Sequence, residues 1–153
     1  MKPLQNRPRR SVADLNIEIV EMRAIDYGQV LELWQRSENL GQTETPSEFM
    51  SFLDRNPGIS TIARDSQQIL GAALCGHDGR RGYLYHLAVA QSHRNLGIGR
   101  AVVDRCLIQL DALGISRCSI HVYTDNEQGE AFWQRAGWRL RNDLKILAKD
   151  LGS

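Results

Sequence analysis

Cysteine, long apolar runs and surplus charge are all scarce in this chain, and each scarcity closes off a class of protein. The three cysteines, Cys75, Cys106 and Cys118, are an odd set with no Cys-x-x-Cys pair. Each stands among apolar neighbours, which favours reduced, buried thiols in a cytoplasmic protein over a disulfide framework or a metal site. No apolar stretch approaches the roughly 18 residues of a spanning helix, and the N-terminus has no signal-peptide core. Neither a membrane span nor secretion by that route is expected. With 19 basic and 18 acidic side chains the formal charge is +1, so nothing electrostatic recommends duplex nucleic acid or an anionic membrane as partner. Two of the four prolines, with Lys2, Arg7, Arg9 and Arg10, fall in the first ten residues, where no apolar periodicity appears. Residues 1–14 are therefore read as a disordered basic tail and 15–153 as a single domain.

What is present is an alternation of short strands and helices. A strand is expected within 16–23, then a helix capped by Asp26 that carries Val30, Leu31, Leu33 and Trp34. Thr45-Pro46-Ser47-Glu48 combines a capping box with proline at the first helical position, and Asn56-Pro57-Gly58 stops the helix it starts. Strands 59–64 and 69–75 form a hairpin, and Asp78-Gly79 turns into a central strand over 83–89. A helix over 100–113, a strand over 118–123, a helix over 127–136 and two last strands, 138–141 and 144–149, complete the chain. The order implies an α/β layout with a mixed sheet and four helices.

Between the central strand and the long helix lies Arg94-Asn95-Leu96-Gly97-Ile98-Gly99, followed by Arg100. Helix N-termini carry unpaired N–H groups and the positive end of the macrodipole, and glycine lets an anion approach the backbone. The spacing reads as a pyrophosphate cradle. It fits neither the dinucleotide fingerprint, which needs a small residue where Val102 stands, nor the nucleotide-triphosphate loop, which needs Gly-Lys-Ser/Thr. The plain alternative is a tight turn that binds nothing.

Arg-x-x-Gly-x-Gly directly after Leu87-Ala88-Val89 resembles the acyl-CoA-binding signature of the GNAT superfamily of N-acetyltransferases. Asn126-x-x-Gly129-x-x-Phe132-Trp133-x-x-x-Gly137-Trp138 resembles the family's second segment, commonly Asn-x-x-Ala-x-x-Phe-Tyr-x-x-x-Gly-Phe. The resemblance implies a GNAT-type fold, a mostly antiparallel sheet with splayed central strands, and acetyl-CoA as co-substrate without a metal. It assigns the pantetheine arm to Leu87, Ala88 and Val89, and the phosphates to Arg94, Asn95, Leu96, Gly97, Ile98, Gly99 and Arg100. Asn126 is either a helix cap or a cofactor contact, and Trp133 packs along the cofactor. Trp133 stands where many members have a tyrosine acid, and an indole N–H cannot take over that proton transfer.

If strands 83–89 and 118–123 splay, the Val89 N–H is free to act as oxyanion donor. Tyr83, Tyr85 and His86 are the candidate acid, base or acceptor contacts, with His86 expected on the sheet face opposite the two tyrosines. Some members have glutamate where Tyr83 stands. Glu38, Glu44, Glu48 and Asp78 are candidates to attract a cationic amine, with solvated surface charge the plainer account of each. The expected reaction is acetyl transfer to a primary amine of a small molecule or protein. Its rivals are a catalytically silent CoA-binding module and a transferase of a longer acyl group. A last strand open at the sheet edge would allow a homodimer.

Overall fold

The computed structural model describes residues 12–38 and 40–152. The chain condenses as two compact units, Met1–His121 and Val122–Ser153. The first contains a five-stranded sheet in the order β1-β2-β3-β4-β5. Strands β1 (Glu18–Glu21), β2 (Thr61–Arg64), β3 (Ile69–His77) and β4 (Gly82–Val89) run antiparallel to one another in turn. Only β5 (Cys118–Ile120) lies parallel to its neighbour, β4. The sheet is mixed and mostly antiparallel.

Helices α1 (Tyr27–Gln35) and α2 (Pro46–Arg55) cover one face. Val30, Leu33, Trp34 and Phe49 pack there with Ala72, Leu74 and Ala88, one apolar layer in which each large side chain contributes about 1.5–3 kcal/mol. Helix α3 (Ile98–Ala112) covers the other face with Ile98, Val102, Val103, Cys106 and Leu110. Two glycines let it approach. A Cβ on Gly71 would lie 2.9 Å from the Ile98 side chain, and one on Gly82 would lie 2.5 Å from that of Leu110.

Helix starts and stops follow local chemistry. Thr45 Oγ1 accepts from the Glu48 amide at 3.3 Å, and Glu48 Oε1 accepts from the Thr45 amide at 3.1 Å, the capping box that starts α2. At the end of α3, Gly114 takes φ +80°. The Ile115 amide then reaches the Leu110 carbonyl (3.1 Å) and the Gly114 amide reaches that of Asp111 (2.9 Å), satisfying carbonyls that the helix leaves open. Asp26 does not cap α1 with its side chain. Its carboxylate accepts from the Arg23 amide at 2.8 Å and closes a short 3-10 turn, Ala24–Asp26, ahead of the helix.

Two strand expectations need correction, and the tail is largely untouched by the structure. Of the 1–14 tail, residues 1–11, with Arg7, Arg9 and Arg10, lie outside the described residues, and Ala13–Leu15 form a 3-10 turn. Residues 138–152 form no strand: a strand requires a partner ladder, and Leu144, Ile146 and Leu147 stay exposed. The expected strand 118–123 pairs only through Ile120. Cys75 and Cys106 are buried free thiols, and Cys118 is half-buried. The Cys106 and Cys118 thiols beside Cys75, together with burial, push the Cys75 thiol far above its ordinary range, the condition of an inert cysteine. Among the described residues no helix is long and apolar enough to cross a membrane, and no group of three His, Cys, Asp or Glu is arranged to hold a metal.

Candidate active site

The site is set by an irregularity in β4. Along β3 the partners of Tyr85 and Ala88 are Leu74 and Ala72, two residues apart, so β4 carries one extra residue at His86–Leu87. His86 itself takes φ +56°. The extra residue changes which edge each amide faces. Before it, the Gly82 amide donates across to Arg117 O at 2.8 Å, toward β5. After it, the Ala90 amide donates back to Leu70 O at 2.7 Å, toward β3. Alternation then turns the Val89 N–H toward the β5 side. The parallel ladder has already stopped at Leu84–Ile120, whereas β4 runs on to Val89. The two strands part where the sequence places the splay, and Leu87 to Val89 present an open backbone edge.

The glycine turn follows directly. Gln91–His93 make a 3-10 turn, Asn95 takes φ +62°, and Gly97 caps α3 at φ +84°. The first bond of the helix runs from the Ala101 amide to Gly97 O at 3.0 Å, which leaves the amides of Ile98, Gly99 and Arg100 leading the helix without an intrahelical acceptor. An added Cβ on Gly97 meets nothing within 4 Å, so the space over the turn is clear of protein. Arg94 is exposed, and Arg100 pairs loosely with Asp104 at 3.3 Å. Positive-φ glycine, leading amides and two arginines fit a diphosphate.

The candidate side chains separate into two groups. Tyr83 and Tyr85 stack at 6.4 Å, 25° apart, on the α2 side of the sheet. Burial, and next the Tyr83 phenol, hold the Tyr85 hydroxyl above the ordinary tyrosine range, so it stays a proton donor. His86 is not on the opposite face. The extra residue swings its ring under α1, 5.1 Å from Trp34, on the same side of the sheet as the tyrosines. There Leu40 O accepts from Nδ1 at 3.1 Å, and Nε2 lies 3.0 Å from Glu44 Oε1. Both ring nitrogens are engaged by oxygen atoms of the 40–44 loop, so the ring is held at both ends. Tyr27 ties the same loop down by donating its hydroxyl to Glu44 O at 2.9 Å. Among the described residues, Glu44 Oε2 and Trp34 Nε1 are buried with no hydrogen-bond partner. Sequence reasoning missed this clamp, because nothing local marks Glu44 as the partner of a strand histidine. It also missed Phe52 and His121, whose rings continue the tyrosine row. A polar surface dent of about 410 Å³ at the β1–β2 end, bordered by Glu18, Asp26 and Arg64, includes none of the expected residues.

The sequence model described as "Acetyltransferase (GNAT) family" matches residues 27–138. The chain belongs to this GNAT family. Membership makes it an acyl-CoA-dependent N-acetyltransferase. It is 26% identical over 136 residues to "Acetyltransferase SG1711" of Sodalis glossinidius (strain morsitans), covering 88% of this chain and 96% of that one. Two solved structures share the fold. Ard1 from Thermoplasma volcanium matches with a TM-score of 0.74 at 19% identity, over 82% of this chain and 84% of that one. An aminoglycoside acetyltransferase from an uncultured soil metagenomic sample, in complex with sisomicin, matches with a TM-score of 0.75 at 14% identity, over 93% and 100%.

The second GNAT segment lies in the Val122–Ser153 unit, around α4 (Glu127–Arg135). Asn126 is the helix cap, its Oδ1 accepting from the Gly129 amide at 3.0 Å. At the other end Gly137, at φ +92°, lets the Trp138 amide bond to Trp133 O at 3.0 Å, while the two indoles meet at 4.8 Å. An apolar contact across a glycine helix stop is a common companion of that hydrogen bond. The segment Phe-Trp-x-x-x-Gly-Trp is thus a helix-ending device in this GNAT chain. A cofactor role for Asn126 and Trp133 rests on the resemblance alone.

Proposed function

We propose that this N-acetyltransferase moves an acetyl group from acetyl-CoA to a primary amine by direct attack, without an acyl-enzyme. The observation that carries the reading is the extra residue in β4, beyond which the Val89 amide faces the open edge next to the glycine turn. The amides of Ile98, Gly99 and Arg100, with Arg94, would hold the diphosphate, and the edge of Leu87 to Val89 would hold the pantetheine arm. Acetyl-CoA supplies the activated thioester. The Val89 N–H is our oxyanion donor, preset by the strand and so needing no reorganisation.

Of the three candidate side chains we assign the proton-donor role to Tyr85, with Tyr83 beside it as an acceptor contact. His86 we assign to positioning, since both its nitrogens are engaged by the 40–44 loop. Deprotonation of the amine falls to water at the exposed end of the tyrosine pair. We place the reaction in the cytoplasm, where free thiols such as Cys75 and Cys106 persist. The test is release of CoA thiol from acetyl-CoA over background with a panel of amines, alongside calorimetry with CoA. Turnover together with binding supports the proposal. Binding without turnover on any amine identifies a silent CoA module instead, and an absence of heat with millimolar CoA refutes the cradle.

A further inference from the structure

Four aromatic rings form one continuous run along the α2 side of β4. Phe52 meets Tyr85 edge to face at 5.8 Å, Tyr85 stacks on Tyr83 at 6.4 Å, and Tyr83 meets His121 edge to face at 6.5 Å. The run borders the fork in the sheet. Tyr85 precedes the extra residue of β4, and His121 is the first residue beyond β5. It also reaches solvent, with Tyr85 38% exposed and His121 exposed. Neither tyrosine belongs to the apolar layer that holds the sheet to α1 and α2. Core packing does not account for them.

Of the four acidic residues expected to draw a cation, three are already bonded within the fold, and the fourth, Glu38, is a single exposed side chain. Glu44 is engaged by His86, Glu48 by the Thr45 amide, and Asp78 by the amides of Arg80 and Arg81 at 2.8 and 2.9 Å. A polycationic acceptor needs several free carboxylates, whereas a run of aromatic rings suits one ammonium joined to a flat apolar group. We infer that the Phe52–Tyr85–Tyr83–His121 row is the acceptor platform and selects a primary amine carried within a few bonds of an aromatic ring. The inference rests on the N-acetyltransferase reading and gives that site its substrate class. The chemistry is shared by free arylalkylamines and by peptides whose first residue is aromatic.

The experiment compares kcat/KM for CoA-thiol release with 2-phenylethylamine, n-butylamine, kanamycin, and two peptides differing only in Phe or Gly at the first position. The aromatic member of the free pair, of the peptide pair, or of both is expected to lead by about tenfold, the scale of one or two ring contacts; which pair shows the lead names the source. Phe52→Leu should cut that ratio several-fold, and Phe52→Tyr, which keeps the ring, should preserve it. A ratio within one variant is insensitive to partial loss of folding, and calorimetry with CoA confirms that each variant retains its cofactor site. Equal turnover of aromatic and aliphatic amines, preference for kanamycin, or a ratio untouched by Phe52→Leu overturns the platform while leaving the transferase intact. No turnover with any amine overturns the transferase reading itself.

Discussion

Replacing Gly97 by alanine separates the cost of a backbone conformation from the cost of crowding a ligand. Gly97 sits at φ +84°, and a Cβ built there touches nothing within 4 Å. The protein itself therefore supplies no clash, and the penalty is that of an L-residue in the left-handed region, about 1–2 kcal/mol. For a chain of this size each kcal/mol lowers the melting temperature by roughly 2–4 °C, so Gly97→Ala should melt about 2–8 °C lower. The same methyl group would stand at the head of α3, next to the amides proposed to hold the diphosphate. CoA affinity should fall by at least about tenfold, or roughly 1.4 kcal/mol. Gly79→Ala is the matched control. It has φ +90° and equally open surroundings, but lies in the turn that Asp78 closes. Thermal unfolding by circular dichroism and CoA titration by calorimetry should show similar destabilisation in both variants, with weakened CoA binding only in Gly97→Ala. Equal CoA affinities would refute the cradle, and an unchanged melting temperature in both would refute the backbone argument.

Two further outcomes test the packing and the electrostatics. Gly82→Ala sets a methyl group against Leu110 at 2.5 Å and should cost about 1–3 kcal/mol by urea unfolding, while Leu110→Ala alone should cost about 2–5 kcal/mol. The double variant should be clearly less unstable than the sum of the two, and strict additivity would mean that these groups do not touch. For Tyr85, burial and then Tyr83 raise the folded-state pKa, so the folded state prefers the neutral phenol. The stability this contributes is fully present below the ordinary tyrosine range and is lost as pH rises through the folded-state value. The phenolate absorbance missing in Tyr85→Phe should accordingly appear above that range; titration within or below it would contradict the assignment.

The parts of this protein legible in its sequence are those decided within a few residues. The Thr45–Glu48 box, the Asp78-Gly79 turn and the glycine stops at Gly114 and Gly137 all form where their chemistry places them. So does the turn at Gly97, because a left-handed residue before a buried Ile98 has few alternatives. Strand alternation was the weaker guide. It assumes regular pairing, so it put His86 on the wrong face, and no nearby residue announces the extra position that moves it. Glu44 could be recognised only once His86 stood beside it, forty-two residues on. The strands expected over 138–149 had apolar residues at suitable intervals but no neighbouring ladder among the described residues. For Asn126 the sequence allows a cap or a cofactor contact, and its bond to the Gly129 amide supplies the cap.

The extra residue at His86–Leu87 is also the one position in β4 that the ladder with β3 does not use. Without it Ala88 would follow Tyr85 by two residues and still face Ala72, so the Val89 amide and the Ala88 methyl would keep their directions. The single residue left between them would point to the α3 face, and the 40–44 loop would lose the ring that holds it. What the insertion adds to a regular strand is therefore a side chain delivered to the helix-covered face where the loop is fastened, a peg more than a hinge.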